Sequence, residues 1–280
     1  MPTIRAFAAA ALAAACVLLS SCVLLPGKFG SELTVRADGN FAFTYKGDIH
    51  LVALSKFAEE AKGSATEEPF APTTCYADNG EERACTKEEL ATQRSDWEES
   101  RKSSAEKKQQ DAEMMKAMLG GIDPSDPRAA EEFASRLRRQ AGWRSVIDRG
   151  NGRFEVEFAA TGRLNHDFTF PTLERMPVVS PFVTVIRRSD GTVRIEAPGF
   201  AASSASSLPM MGMAEAMTKS GTGPDSLPAL DGTFAVITDG EVLANNTDDG
   251  PQAASHGRRL SWKVNARTTA APTALIRLQQ

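Results

Sequence analysis

Apolar positions along this chain follow two periods. In most of it they alternate with polar ones, the period-two pattern of a strand with one wet face. Leu33 and Val35 alternate in this way, as do Phe41, Phe43 and Tyr45. Asp38-Gly39 between these runs predicts a hairpin. Gly47-Asp48 predicts a second turn into a third antiparallel strand over 49–54, with a short helix over 57–62. Further on, Gly150-Asn151-Gly152 separates a strand over 143–147 from Phe154, Val156 and Phe158, which alternate with Glu155, Glu157 and Ala159. A strand is expected over 167–170, and Asp190-Gly191 joins strands over 182–186 and 193–195. The last strands are expected over 234–238, 260–264 and 274–278, with a Ser/Ala/Gly-rich connection over 198–227 and a polar loop over 245–256.

The helical period appears twice. Asp126 is placed as an N-cap with Pro127 at the first helical position, and Ala130, Phe133, Ala134, Leu137 and Ala141 follow i, i+3, i+4, i+7 spacing before Gly142. This helix, 127–141, should bury Phe133 and Leu137 against the sheet. Residues 63–121 differ. Thr86 and Glu89 have the spacing of a capping box at the start of a long helix. Its apolar residues, Leu90 and Trp97 early and Met114, Met115, Met118 and Leu119 late, make no continuous stripe, and 98–113 is almost wholly polar. Such a helix bridges solvent, so 63–121 is expected to be an insertion that projects from the body. The fold class is α+β: a strongly curved antiparallel sheet crossed by one amphipathic helix, with a long polar helical insertion.

The first residues change the picture. One positive charge, Arg5, precedes an apolar run over 6–19, too short for the ~20 residues that span a bilayer. Leu19, Ser20, Ser21 and Cys22 follow, an aliphatic residue and two small ones before a cysteine. This resembles the lipobox of bacterial lipoproteins. The resemblance implies a diacylglyceryl group on the Cys22 thiol and cleavage before it, with the membrane as partner through that lipid. An ordinary secretory signal or an uncleaved anchor are the competing readings. The organisation expected is a signal peptide over 1–21, a lipid-anchored tether over 22–31, and a single α+β domain over 32–280. The location expected is the cell envelope. In a cell with two membranes it is the outer membrane facing the periplasm, because Val23, not Asp, follows the cysteine.

Composition narrows the function. With 36 acidic against 32 basic side chains the net charge is −4, which disfavours nucleic acid as a partner. Cys75 and Cys85 are expected to pair in an oxidising compartment, with two free thiols as the other reading. His50, His166 and His256 are scattered over different elements. Neither a phosphate loop nor a nucleophile elbow nor a zinc-binding His pair occurs, so no enzyme, cofactor or metal is expected. Met210, Met213 and Met217 share one helical face within the small-residue connection and are candidate lipid contacts, since methionine adapts to irregular apolar ligands.

A second resemblance rests on Leu33 to Val35, Asp38-Gly39 and Phe41 near the start, and on Asp231-Gly232, Asn245-Asn246 and Leu260-Ser261-Trp262 near the end. With these the chain is similar to the LppM-type lipoprotein domain family. That likeness implies a helix on a curved sheet and lipid or glycolipid binding. The chain departs from the family in its 63–121 insertion and in having no C-terminal apolar helix of the kind some relatives carry. The function expected is therefore a non-catalytic, lipid-anchored envelope protein that binds lipid or glycolipid. The alternative is a protein-interaction or assembly module with an envelope protein as partner, acting through the helical insertion. The lipobox reading predicts that Cys22→Ala abolishes metabolic labelling with a fatty-acid probe; a variant that labels like the wild type overturns it.

Overall fold

A computed structural model describes residues 24–55, 69–77, 80–174, 176, 181–201 and 229–279. Its fold is α+β, as the alternation predicts, but with two sheets instead of one. The larger sheet contains β1 (Leu24–Val35), β2 (Asn40–Leu51), β5 (Trp143–Asp148), β6 (Arg153–Arg163), β10 (Asp231–Thr238), β12 (Gln252–Ala254) and β13 (Gly257–Asn265). Their spatial order is β12-β13-β10-β1-β2-β6-β5. The smaller sheet contains β7 (Phe168–Phe170), β8 (Val183–Arg187), β9 (Thr192–Glu196), β11 (Glu241–Asn245) and β14 (Thr273–Arg277), ordered β11-β14-β9-β8-β7. A two-residue pair, β3 (Cys75–Tyr76) and β4 (Glu82–Arg83), stands apart from both. The two longer helices among the described residues are α1 (Lys87–Met118) and α2 (Ala129–Arg138).

Several expectations need correcting. The sheet is not wholly antiparallel, because β1 lies parallel to β10, Lys28 opposite Asp231 through Val35 opposite Thr238. The segment read as a tether is part of the sheet: β1 starts at Leu24 and is central, with β2 on its other side. Pro26 and Gly27 suggested a linker, but the chain absorbs them in an irregularity of the β1–β2 register between Pro26 and Phe29. Gly47 sits opposite that irregularity, so Gly47-Asp48 is no turn and β2 runs on unbroken to Leu51. Residues 52–55 are then helical, which ends the strand earlier than expected, and the helix foreseen over 57–62 lies outside the described residues. The polar segment 245–256 is not all loop: it ends β11 and contains β12.

The helix on the sheet is shorter than 127–141. Arg128 is its cap residue, with no side-chain bond to the helix backbone, and Asp126 instead accepts the Arg128 backbone N–H at 2.8 Å in the preceding turn. Its buried face is nevertheless the one its period implies: Ala129, Phe133, Ala134 and Leu137. At the other end Gly142 turns the chain into β5 with φ +91, and a Cβ there would stand 2.5 Å from the Phe158 ring. Arg138 of α2 donates Nε to the Val146 carbonyl of the edge strand β5 at 3.0 Å and is held by Glu131 at 2.9 Å. An arginine on an edge backbone group blocks pairing with another chain.

The small sheet and α2 cover the same face of the large sheet. Phe133 of α2 meets Phe154 of β6 at 4.9 Å between ring centroids. Next to it, an unbroken run of ring contacts crosses the large sheet between the layers. It passes from Trp262 to Phe234 (5.5 Å), Phe200 (5.4 Å) and Phe29 (4.2 Å). It continues to Tyr45 (5.5 Å), Phe170 (5.1 Å), Phe158 (4.7 Å) and Trp143 (5.3 Å). Phe170 comes from the small sheet and Phe200 from the single turn Pro198–Phe200, so rings of both layers interleave. Aromatic pairs contribute about 0.5–1.5 kcal/mol each beyond the area they bury. Asn246 closes one end: its Oδ1 accepts from Trp262 Nε1 at 2.9 Å and from the Thr273 backbone N–H at 2.8 Å, tying β13 to the start of β14. Two residues that carried the resemblance, Asn246 and Trp262, are thereby partners.

Gly47 tests the β1–β2 join. Its φ is +152, and a Cβ would lie 2.2 Å from the Lys28 carbonyl oxygen and 2.5 Å from Phe29 Cα. Backbone must move on one strand or the other, so Gly47→Ala should cost at least about 2 kcal/mol. Urea unfolding of the soluble domain measures this, and a change under about 0.5 kcal/mol, the range of an ordinary surface substitution, refutes the close approach.

Candidate functional site: the stapled head of a projecting helix

Of the candidate positions, Cys22, Met210, Met213 and Met217 lie outside the described residues. Cys75 and Cys85 are joined in a disulfide, with Cα atoms 5.2 Å apart. The bridge closes the β3–β4 hairpin onto the first turns of α1. Gln93 of α1 seats it: Gln93 Oε1 accepts the Thr73 backbone N–H at 2.9 Å, and Gln93 Nε2 donates to the Thr73 carbonyl at 3.2 Å. The same Nε2 lies 3.4 Å from Cys75 Sγ. One helical turn on, Trp97 meets Phe70 edge-on at 5.7 Å. The Arg94 guanidinium stands 5.2 Å from the centre of the Phe70 ring and that of Arg101 4.9 Å from the Trp97 ring, each a cation over a π-face.

The helix starts as the Thr-x-x-Glu spacing predicts. Thr86 Oγ1 accepts the Glu89 backbone N–H at 3.2 Å, and Glu89 Oε2 accepts the Thr86 backbone N–H at 2.8 Å. Arg83 then grips both oxygens of Glu89, at 2.6 and 2.8 Å. The Arg83 hydrogen bond, followed by that from the Thr86 backbone, lowers the Glu89 carboxyl to about 2. On this exposed group hydrogen bonds to the charged form lead the shift, and the positive charge of Arg83 adds to it.

From this head α1 runs 32 residues, about 48 Å at helical rise, with none of its side chains buried. Residues 98–111 are exposed all round. Contact with the body returns only at the far end, where Met115 and Met118 lean on the core and Leu119 and Ile122 enter it. Arg136 of α2 holds that end by donating to the Gly120 carbonyl at 2.6 Å. The large apolar side chains left exposed include Tyr76 (57%) and Leu90 (36%) on the head and Met114 (40%) on α1. Trp97 is half-buried beneath Phe70. Gln93, Phe70 and Arg83 had no signal of their own in the sequence; the nearest was the Leu90–Trp97 spacing on one helix face.

Among the described residues, other side-chain groups assemble nothing comparable. His50, half-buried on β2, has its pKa lowered mainly by burial, against the pull of Asp48. His166 and His256 are exposed on separate loops. Glu155 is taken by Arg149 at 2.6 Å, and Asp167 accepts the Arg187 backbone N–H at 3.1 Å. One triad of potential metal donors converges among the described residues, Cys75, Cys85 and Glu89 within 4.8 Å of one another. The disulfide and the Arg83 clamp consume its donors. No helix among the described residues is long and apolar enough to cross a membrane.

No family model matches the chain, and no curated protein matches it. Among solved structures it is similar to the NMR structure of the folded domain of the Mycobacterium tuberculosis LppM protein. The two are 13% identical with a TM-score of 0.33, over 91% of this chain and 92% of that one. That is a distant likeness, and membership of a family does not follow from it.

The Glu89 clamp has a pH signature. A carboxyl whose folded pKa is depressed stabilises the fold fully above its unfolded pKa, and the contribution is lost as pH falls through the folded value. The clamp should therefore stay charged and closed from neutral pH to about pH 4 and open as pH falls towards about 2. NMR titration of the Glu89 carboxyl carbon and the Thr86 amide reads this directly; a midpoint at the ordinary value near 4.5 removes the clamp.

Proposed function

We infer that this protein is a non-catalytic envelope protein, anchored through lipid on Cys22, that works as an assembly module by holding its disulfide-stapled head away from the body on α1. The observation that carries this reading is the structure of α1. A helix with no buried side chain contributes little to the stability of the body, yet its head is fastened by a disulfide, a capping box, a clamped carboxylate and a stack of two rings and two cations. Such pre-ordering lowers the conformational cost of meeting a partner.

Lipid binding between the layers finds less support. The positions that would line a cavity under α2 are occupied by rings in mutual contact, Phe133 on Phe154 and Phe158 on Phe170. The methionine face once expected over such a site lies outside the described residues.

Deleting residues 98–111 tests the assembly reading. The fourteen residues make almost four whole turns, so the helix faces stay in register while the arm shortens by about 21 Å. The shortened protein should keep its melting temperature within about 3 °C, since the deleted turns pack on nothing. It should lose the in-cell cross-links that a photoreactive residue at Tyr76 forms with an envelope protein in the full-length chain. Cross-links unchanged by the deletion overturn the role of the arm, and lipid co-purifying with the soluble domain restores the lipid reading.

A further inference from the structure

We propose that the end of the large sheet at which β1 begins is a membrane-contact surface, seated directly on the lipid bilayer. The proposal rests on the anchoring of Cys22 and adds to it an orientation. β1 begins at Leu24, which is buried and pairs with Leu51; Leu25 pairs with His50 and Pro26 with Ile49. One residue, Val23, separates that strand from Cys22. Two residues reach at most about 7 Å even fully extended. A glyceryl group on the Cys22 thiol lies at the headgroup level of the membrane. The start of β1 is then within one lipid headgroup's thickness of the surface. The first residues of β1 are held by β2, Leu24 opposite Leu51 and Pro26 opposite Ile49, with Leu24 buried, and β10 flanks the strand from Lys28 onward. A protein on a long flexible tether samples all orientations to its membrane; this one is left with a single end to present.

The topology identifies what else lies at that end. β6 runs antiparallel to β2 with Arg153 opposite His50, so the β5–β6 turn, residues 149–152, stands beside the start of β1. Two bonds fix the turn there: the Leu51 N–H donates to the Gly152 carbonyl at 2.8 Å, and Ser55 Oγ donates to the Asn151 carbonyl at 2.6 Å. The side chains presented there include Asp148, Arg149 and Arg153, the last 3.9 Å from Asp48. Arg149 is exposed and paired only at the surface, with Glu155. An arginine at this level meets lipid phosphates at no cost in burial. The opposite end holds the β1–β2 turn and the β12–β13 turn with His256, about 36 Å away at the rise of β1.

The test uses the full-length protein, purified from membranes and placed in vesicles of phosphatidylethanolamine and phosphatidylglycerol that contain a headgroup-labelled nitroxide lipid. Mass spectrometry first establishes whether Cys22 is acylated. A fluorophore is then attached through Arg149→Cys or, separately, His256→Cys; Cys75 and Cys85 are unavailable to it in their disulfide. The label at 149 should be strongly quenched and the label at 256 should fluoresce as it does without nitroxide. A Gly/Ser linker of about sixteen residues inserted after Val23, about 22 Å of mean reach, should abolish the difference. Equal quenching at both sites in acylated protein, or a difference that survives the linker, overturns the orientation and leaves the anchor standing. Protein without the acyl mass overturns the anchor and the orientation with it.

Discussion

Everything in the body is arranged around the continuous run of aromatic rings between its layers. The rings come from β13, β10, β1, β2, β6 and β5 on one side and from β7 and the turn after β9 on the other. Neither sheet could be stable alone with such a face turned to water. Interleaving two sources of rings also dictates register: Phe29 meets Phe200 and Tyr45 only while β1 holds its one-residue irregularity against β2. The irregularity in turn requires a glycine at position 47. Core, register and that glycine are thus one constraint seen at three scales.

The arm obeys other rules. Apolar burial contributes almost nothing along most of α1, so its order depends on local devices: a capping box and clamped glutamate at one end, insertion of Leu119 and Ile122 into the core at the other. The head is too small for a core and uses a covalent bridge instead, the usual resort of small units. A molecule that combines a ring-filled body with an exposed, locally stabilised arm separates the part that forms the core from the part that stands in solvent.

What could be read from the sequence followed from how local each feature is. The Thr86–Glu89 box, the turns at Asp38-Gly39 and Gly150-Asn151-Gly152, and the face of α2 are set by residues within a few positions of one another, and all are present. The pairing of β1 with β10 and the division into two sheets are not local. Alternation tells which face of a strand is dry, and cannot tell which sheet it joins. The first part of β1 reads as a tether because Pro26, Gly27 and Gly30 weaken its pattern, whereas in the fold Pro26 and Gly27 fall at the irregularity and a Cβ on Gly27 would stand 2.8 Å from the His50 ring. At the head, the Cys75–Cys85 pairing followed from compartment and spacing, but Gln93 did not, because a polar residue on a polar helix carries no mark of the partner it will find.

The placement of β1 also sets an order of events. Its neighbour β2 follows after a four-residue turn, but its other neighbour, β10, arrives about 200 residues later. At ribosomal rates of about 5–20 residues per second, that interval is about 10–40 s. Throughout it the central strand of the future sheet has one open edge of unpaired backbone N–H and C=O groups, in a chain still being made. Edges of that kind pair with whatever strand comes first. The place beside β1 therefore stays open to a competing strand until the chain's own late strand, β10, fills it.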